Sequence, residues 1–168
     1  IWRKSIDFIF YKIKIKINYP KVLKNFNLIM SREIELNNLG KNLVNFLKKE
    51  LEINKVSLLI LNFKNNNIIS APQKKVKFNL TKEIINYCQD HQEIIIRDQL
   101  KKEGEEFKKH LKLNNILKEL EQKKIDLLIP IIDNNNLIAL LFLTEKSSGD
   151  IYNDEDIDLF KELRPSIA

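Results

Sequence analysis

Apolar positions in this chain follow two rhythms, and the changes between them mark the elements. Val22, Leu23, Phe26, Ile29 and Met30 recur at helical spacing behind Pro20, which predicts an amphipathic helix over 20–33. Leu39, Leu43, Phe46, Leu47 and Leu51 form a second helical face, for which Asn37 or Asn38 is the expected cap. Val56–Phe63 is short and apolar almost throughout, as a buried strand is, and a weaker strand is expected over Ile68–Ala71 beyond the Lys64-Asn65-Asn66-Asn67 turn. A helix capped by Asn79 should run to His91, followed by a strand over Glu93–Arg97. A long charged helix over Lys101–Gln122 then changes phase near Asn114-Asn115. Ile125–Ile132 and Leu137–Leu143 read as a hairpin. Pro130, which has no N–H to give a ladder, belongs at an edge or bulge. The last helix has Asn153 as N-cap, Asp156 three residues on, and a buried stripe of Ile157, Phe160 and Leu163. Pro165 is expected to kink it near its end.

This order predicts an α+β domain: a central, mainly antiparallel sheet of five to six strands with helices on both faces. Strands that are apolar nearly throughout need cover on both sides.

Charge divides the chain. Its net +6 lies wholly in residues 1–24, where seven Lys and Arg stand against Asp7 among Trp2, Phe8, Phe10, Tyr11 and Tyr19. Basic and aromatic residues mixed in this way suit a cytoplasmic juxtamembrane segment at a membrane surface, or a solvated basic tail. The remainder is balanced, so no nucleic-acid partner is expected. The single cysteine, Cys88, excludes an internal disulfide and a cysteine-based zinc site. The start at Ile1, without an initiator Met, reads as that of a piece of a longer protein.

One stretch is more specific than the rest. Ile129-Pro130-Ile131, a turn, Leu137-Ile138-Ala139, the Lys146-Ser147-Ser148-Gly149 loop and the acidic helix start Tyr152–Asp156 resemble the end of a GAF domain, the small sensory module of bacterial signalling proteins. The resemblance covers residues 37–168, while 1–36 look like the basic linker and signalling helix that join such domains to membrane helices in sensor histidine kinases. Ala139 and Thr144 stand where the family commonly has glycine.

The resemblance implies a regulatory sensory domain on the cytoplasmic side of the inner membrane. It would relay the state of a ligand or membrane segment through its terminal helices to an output domain of the same polypeptide, such as a histidine kinase or diguanylate cyclase. The alternative is a ligand-free structural dimerisation and relay module. A homodimer through the Pro20–Glu33 helix and the terminal helix is expected. Any ligand would sit between the sheet and the helices after the third strand, against Phe78, Ile84, Tyr87, Ile96, Asp98, Phe107, Leu111 and Leu127, with Tyr87 and Asp98 as polar anchors.

No cofactor or metal is expected. Some GAF domains attach a linear tetrapyrrole (bilin) through a cysteine followed directly by His. Here His91 lies three residues after Cys88, and a small thiol on an inner helix face is ordinary core. The acidic groups Glu103–Glu106 and Asp154–Asp156 fall in helix first turns, where capping and solvation account for them. There is no phosphate-binding glycine loop and no nucleophile with a supporting base, so this part of the protein is read as non-enzymatic.

Overall fold

The computed structural model describes residues 17–32, 36–61, 67–71, 80–106 and 111–168. The basic arm before residue 17, the turn around Asn65, the 72–77 loop and the Asn79 cap fall outside the described residues. The elements are α1 (Tyr19–Arg32), α2 (Leu36–Glu50), β1 (Val56–Ile60), β2 (Asn67–Ala71), α3 (Lys82–His91), β3 (Ile95–Ile96), α4 (Arg97–Glu106), α5 (Leu111–Lys123), β4 (Leu127–Asp133), β5 (Asn136–Leu143) and α6 (Asp154–Ile167).

All strand pairs are antiparallel, in the order β2-β1-β5-β4-β3. Four full strands make the body of the sheet, and the fifth, β3, amounts to two residues. The expected strand over Glu93–Arg97 is cut short where the Arg97 amide donates to the Asp126 carbonyl and the chain turns into α4. β3 pairs only with Leu127 and Leu128, so beyond them β4 has β5 as its one described neighbour, and Pro130 lies in that stretch. A register irregularity follows at Ile131/Ile132. The β4–β5 turn places Asn134 and Asn135 at φ 47° and 62°, a left-handed pair that asparagine tolerates and that matches the strand twist.

Strand alternation feeds two cores. Val56, Leu58, Ile129, Leu141 and Leu143 face α1, α2 and α6, where Phe26, Leu47, Phe160 and Leu163 are fully buried. Leu59, Leu128, Leu140 and Phe142 face the other way and pack with Ile84, Cys88, Leu100, Ile116 and Leu120 of α3, α4 and α5. The sheet is therefore covered on both faces.

Several helix boundaries differ from the sequence reading. α2 begins at Leu36, so Asn37 and Asn38 are inside it and do not cap it. The long helix is two, α4 and α5, but Asn114 and Asn115 lie within α5, away from the division. α3 starts after Thr81, whose side chain makes no cap bond. Thr81 instead gives its amide (3.1 Å) and hydroxyl (2.5 Å) to the buried Glu119 carboxylate of α5. A cap the sequence reading missed is Asn18, whose Oδ1 accepts the Lys21 amide at 3.1 Å. α6 has the expected capping box and runs on through Pro165 to Ile167.

Candidate functional site

Those of the eight residues expected around a ligand that are described are divided between the two faces of the sheet and its surface. Phe78 and Phe107 lie outside the described residues, and of Leu111 only the backbone position, at the start of α5, is described. Ile84 is fully buried on the α3/α5 side, and Tyr87 packs at its edge with its ring stacked on His91 at 4.0 Å. Leu127 is fully buried on the opposite side of the sheet, with Ile96 packed against that same core. The separation follows from the two-residue strand period: Leu128, not Leu127, faces α3 and α5. Asp98 is exposed in the first turn of α4.

Ile96 and Asp98 do meet in a surface cleft of about 280 Å³ at the end of the sheet. Arg97, Asp98 and Lys102 line one wall, Asp126 and Glu145 the floor, and Gly149 to Tyr152 the other wall. The local sequence explains how these groups come together. β3 ends at Ile96, so Arg97 turns outward at the α4 start beside Asp126, the residue that precedes β4. The opposite wall is the loop after β5, where Gly149 takes φ +75° and donates its amide to Lys146 O at 2.9 Å. That left-handed conformation favours glycine.

Arg97 Nη1 lies 2.6 Å from Asp126 Oδ1, and Nη2 3.6 Å from Asp98 Oδ1. Burial raises the Asp126 carboxyl above the usual carboxylate range, against the opposing pull of Arg97. The half-enclosed, mixed-charge cleft can hold a small polar molecule but does not present a nucleophile with its base. Cys88 lies elsewhere, buried on α3, where desolvation pushes its thiol up to about 12, so it is neutral and unreactive at ordinary pH. Among the described residues no group of three or more His, Cys, Asp or Glu side chains is placed to hold a metal ion.

Behind the cleft wall lies a polar cluster that sequence reasoning saw only in part. Asp156 is fully buried, and the nearly buried Lys146 ammonium lies 2.5 Å from its Oδ2. The Asn153 amide also donates to Oδ2 at 2.8 Å, and the Tyr19 hydroxyl reaches Oδ1 at 2.9 Å from the start of α1. Lys146 Nζ sits 5.3 Å from the centre of the Tyr152 ring, and the Tyr152 hydroxyl donates to Thr144 O at 2.6 Å. Burial and the neighbouring carboxylates raise both tyrosine hydroxyls, so both remain protonated donors. The capping role of Asp156 was legible from its spacing to Asn153. Its partners Lys146 and Tyr19, 10 and 137 residues away, were not.

No protein-family model and no curated protein matches the sequence. Solved structures do match the fold. The GAF domain of a phosphoenolpyruvate-protein phosphotransferase from Coxiella burnetii superposes with a TM-score of 0.63 at 17% identity, over 89% of this chain and 90% of that one. The GAF domain of a two-component sensor histidine kinase from Bacillus halodurans gives 0.54 at 16% identity, over 80% and 95%. The fRMsr of Staphylococcus aureus in its reduced form gives 0.59 at 16% identity, over 90% and 96%. The chain has the GAF fold. No helix among the described residues is long and apolar enough to cross a membrane.

Proposed function

We propose that this chain is a regulatory sensory domain of a signalling protein. The observation that carries the reading is the placement of its two terminal helices. α1 and α6 pack against one another on a single face of the sheet, bringing the segment that enters the domain and the segment that leaves it side by side. A domain built this way can convert a change on one helix into a change on the other, given two arrangements of different free energy. The GAF domain of the Bacillus halodurans sensor kinase supports the reading through its shared fold.

The basic, aromatic residues of 1–24 lie at the cytoplasmic face of an inner membrane, α1 and α6 form the contact of a homodimer, and an output domain of the same polypeptide receives the signal. The ligand, where there is one, is small and polar and occupies the cleft between Arg97 and Tyr152. The ligand-free relay is the second reading. It is favoured by Ile84 and Leu127, two expected pocket residues that are fully buried in separate cores.

A native mass spectrum of the purified domain, set beside its denatured mass, tests the proposal. The expected result is a dimer whose mass exceeds that of two chains by a ligand lost on denaturation. A dimer without excess mass would replace the ligand sensor by the ligand-free relay. A monomer without excess mass would overturn both.

A further inference from the structure

We propose that the Asp156 carboxylate is the joint through which the loop after β5 sets the position of α1 against α6. Three separate parts of the chain meet on this one group: Tyr19 at the start of α1, Lys146 in the loop, and the Asn153 amide at the start of α6. Capping alone does not require such an arrangement. A capping box needs only the Asn153 and Asp156 side chains and works at an exposed helix end. Stability does not require it either, because a buried ion pair is often no better than apolar groups of the same shape. What a buried, directional pair supplies is a defined geometry.

The two sides of the joint differ in how firmly they are held. The Lys146 side is stitched to the chain between α2 and β1. Lys146 pairs with Ile53 in an isolated bridge, the Asn54 amide donates to Glu145 O at 3.0 Å, and the Ser147 amide to Glu52 O at 2.6 Å. On the α1 side the buried anchors are Val22 and Phe26, apolar side chains whose contacts resist separation more than rotation or sliding. The Tyr19 bond to Asp156 is directional and fixes the phase of the helix. Tyr19 is only half-buried, at the mouth of an open groove between α1 and α6 lined also by Leu23, Glu155 and Leu159.

Tyr19 can therefore leave without stranding a charge. Asp156 keeps Lys146 and its cap amide, and the released phenol is uncharged. The joint has an engaged state and a released state, and the loop biases the choice, because the Lys146 that holds Asp156 also lies over Tyr152, which lines the cleft. The inference rests on the sensory reading for its purpose but not for its existence, and its test uses no ligand.

Hydrogen exchange followed by mass spectrometry on Tyr19→Phe measures the joint. Losing one bond to a charged acceptor should speed exchange in a peptide spanning 19–26 by about tenfold, with α2 and β5 unchanged. Exchange in that peptide equal to that of the unaltered protein would overturn the joint. The double variant Lys146→Met with Asp156→Leu separates it from a merely structural role. It should remain folded, with protection of α2 and β5 retained and that of 19–26 reduced as in Tyr19→Phe. Full protection of 19–26 in the folded double variant would overturn the inference. The result of the native mass experiment bears on the sensory reading and leaves this test standing.

Discussion

Replacing Lys146 with alanine should destabilise the domain by about 3–5 kcal/mol, the usual consequence of removing one partner from a buried ion pair. Lys146 and Asp156 are 6% and 0% exposed, so water cannot take over the missing cation. The remaining carboxylate would keep the Tyr19 hydroxyl and the Asn153 amide as donors, which offset part of a full charge but do not neutralise it. Urea unfolding followed by circular dichroism measures the loss. A change under about 1 kcal/mol would place Lys146 at a solvated site, since exposed pairs have values of that size.

Phe160→Ala should cost a similar amount, about 3–5 kcal/mol, for a different reason. Phe160 is 1% exposed and belongs to the core formed by α1, α2, α6 and one face of the sheet. Truncation removes an aromatic ring from a close-packed site and leaves a cavity that the strands can close only in part. For a domain of this size the loss is roughly 10 °C in thermal midpoint. A thermal scan showing less than a third of that would mean that α6 repacks freely. The joint at Asp156 would then be attached to a loosely seated helix.

The parts of the fold legible in the sequence were those governed by a single short-range rule. The β4–β5 hairpin followed from two apolar runs on either side of an Asp-Asn-Asn-Asn turn, and α6 from an asparagine three residues before Asp156. The parts that were not legible depended on distant partners. β3 stops at Ile96 because the chain turns into α4 at Arg97, whose amide still bonds Asp126 O in the β4 register, and α3 starts after Thr81, which bonds Glu119 of α5. The pocket implied by the GAF resemblance put Ile84 and Leu127 together, between the sheet and the helices after the third strand. The sheet separates them, since a shift of one residue along β4 changes the face.

The candidate site was legible to the same limited extent. Ile96 and Asp98 were singled out and do line the cleft, but Arg97, Asp126 and Tyr152 were not singled out as site residues. A salt bridge from the end of β3 to the residue before β4, and a tyrosine beside a buried lysine, have no local sequence signature. Lys146 in a Lys-Ser-Ser-Gly loop looks solvated. Only the fold shows that its stem turns inward to a carboxylate ten residues on.

In the proposed joint, Tyr19 and the loop after β5 communicate through one shared carboxylate. A double-mutant cycle on Tyr19→Phe and Lys146→Met, read by urea unfolding, measures that communication directly. The two side chains bond to different oxygens of Asp156, so their losses should be non-additive, with an interaction of about 0.5–3 kcal/mol. Losses that add to within about 0.3 kcal/mol would show that α1 and the loop are held independently, and would contradict the account.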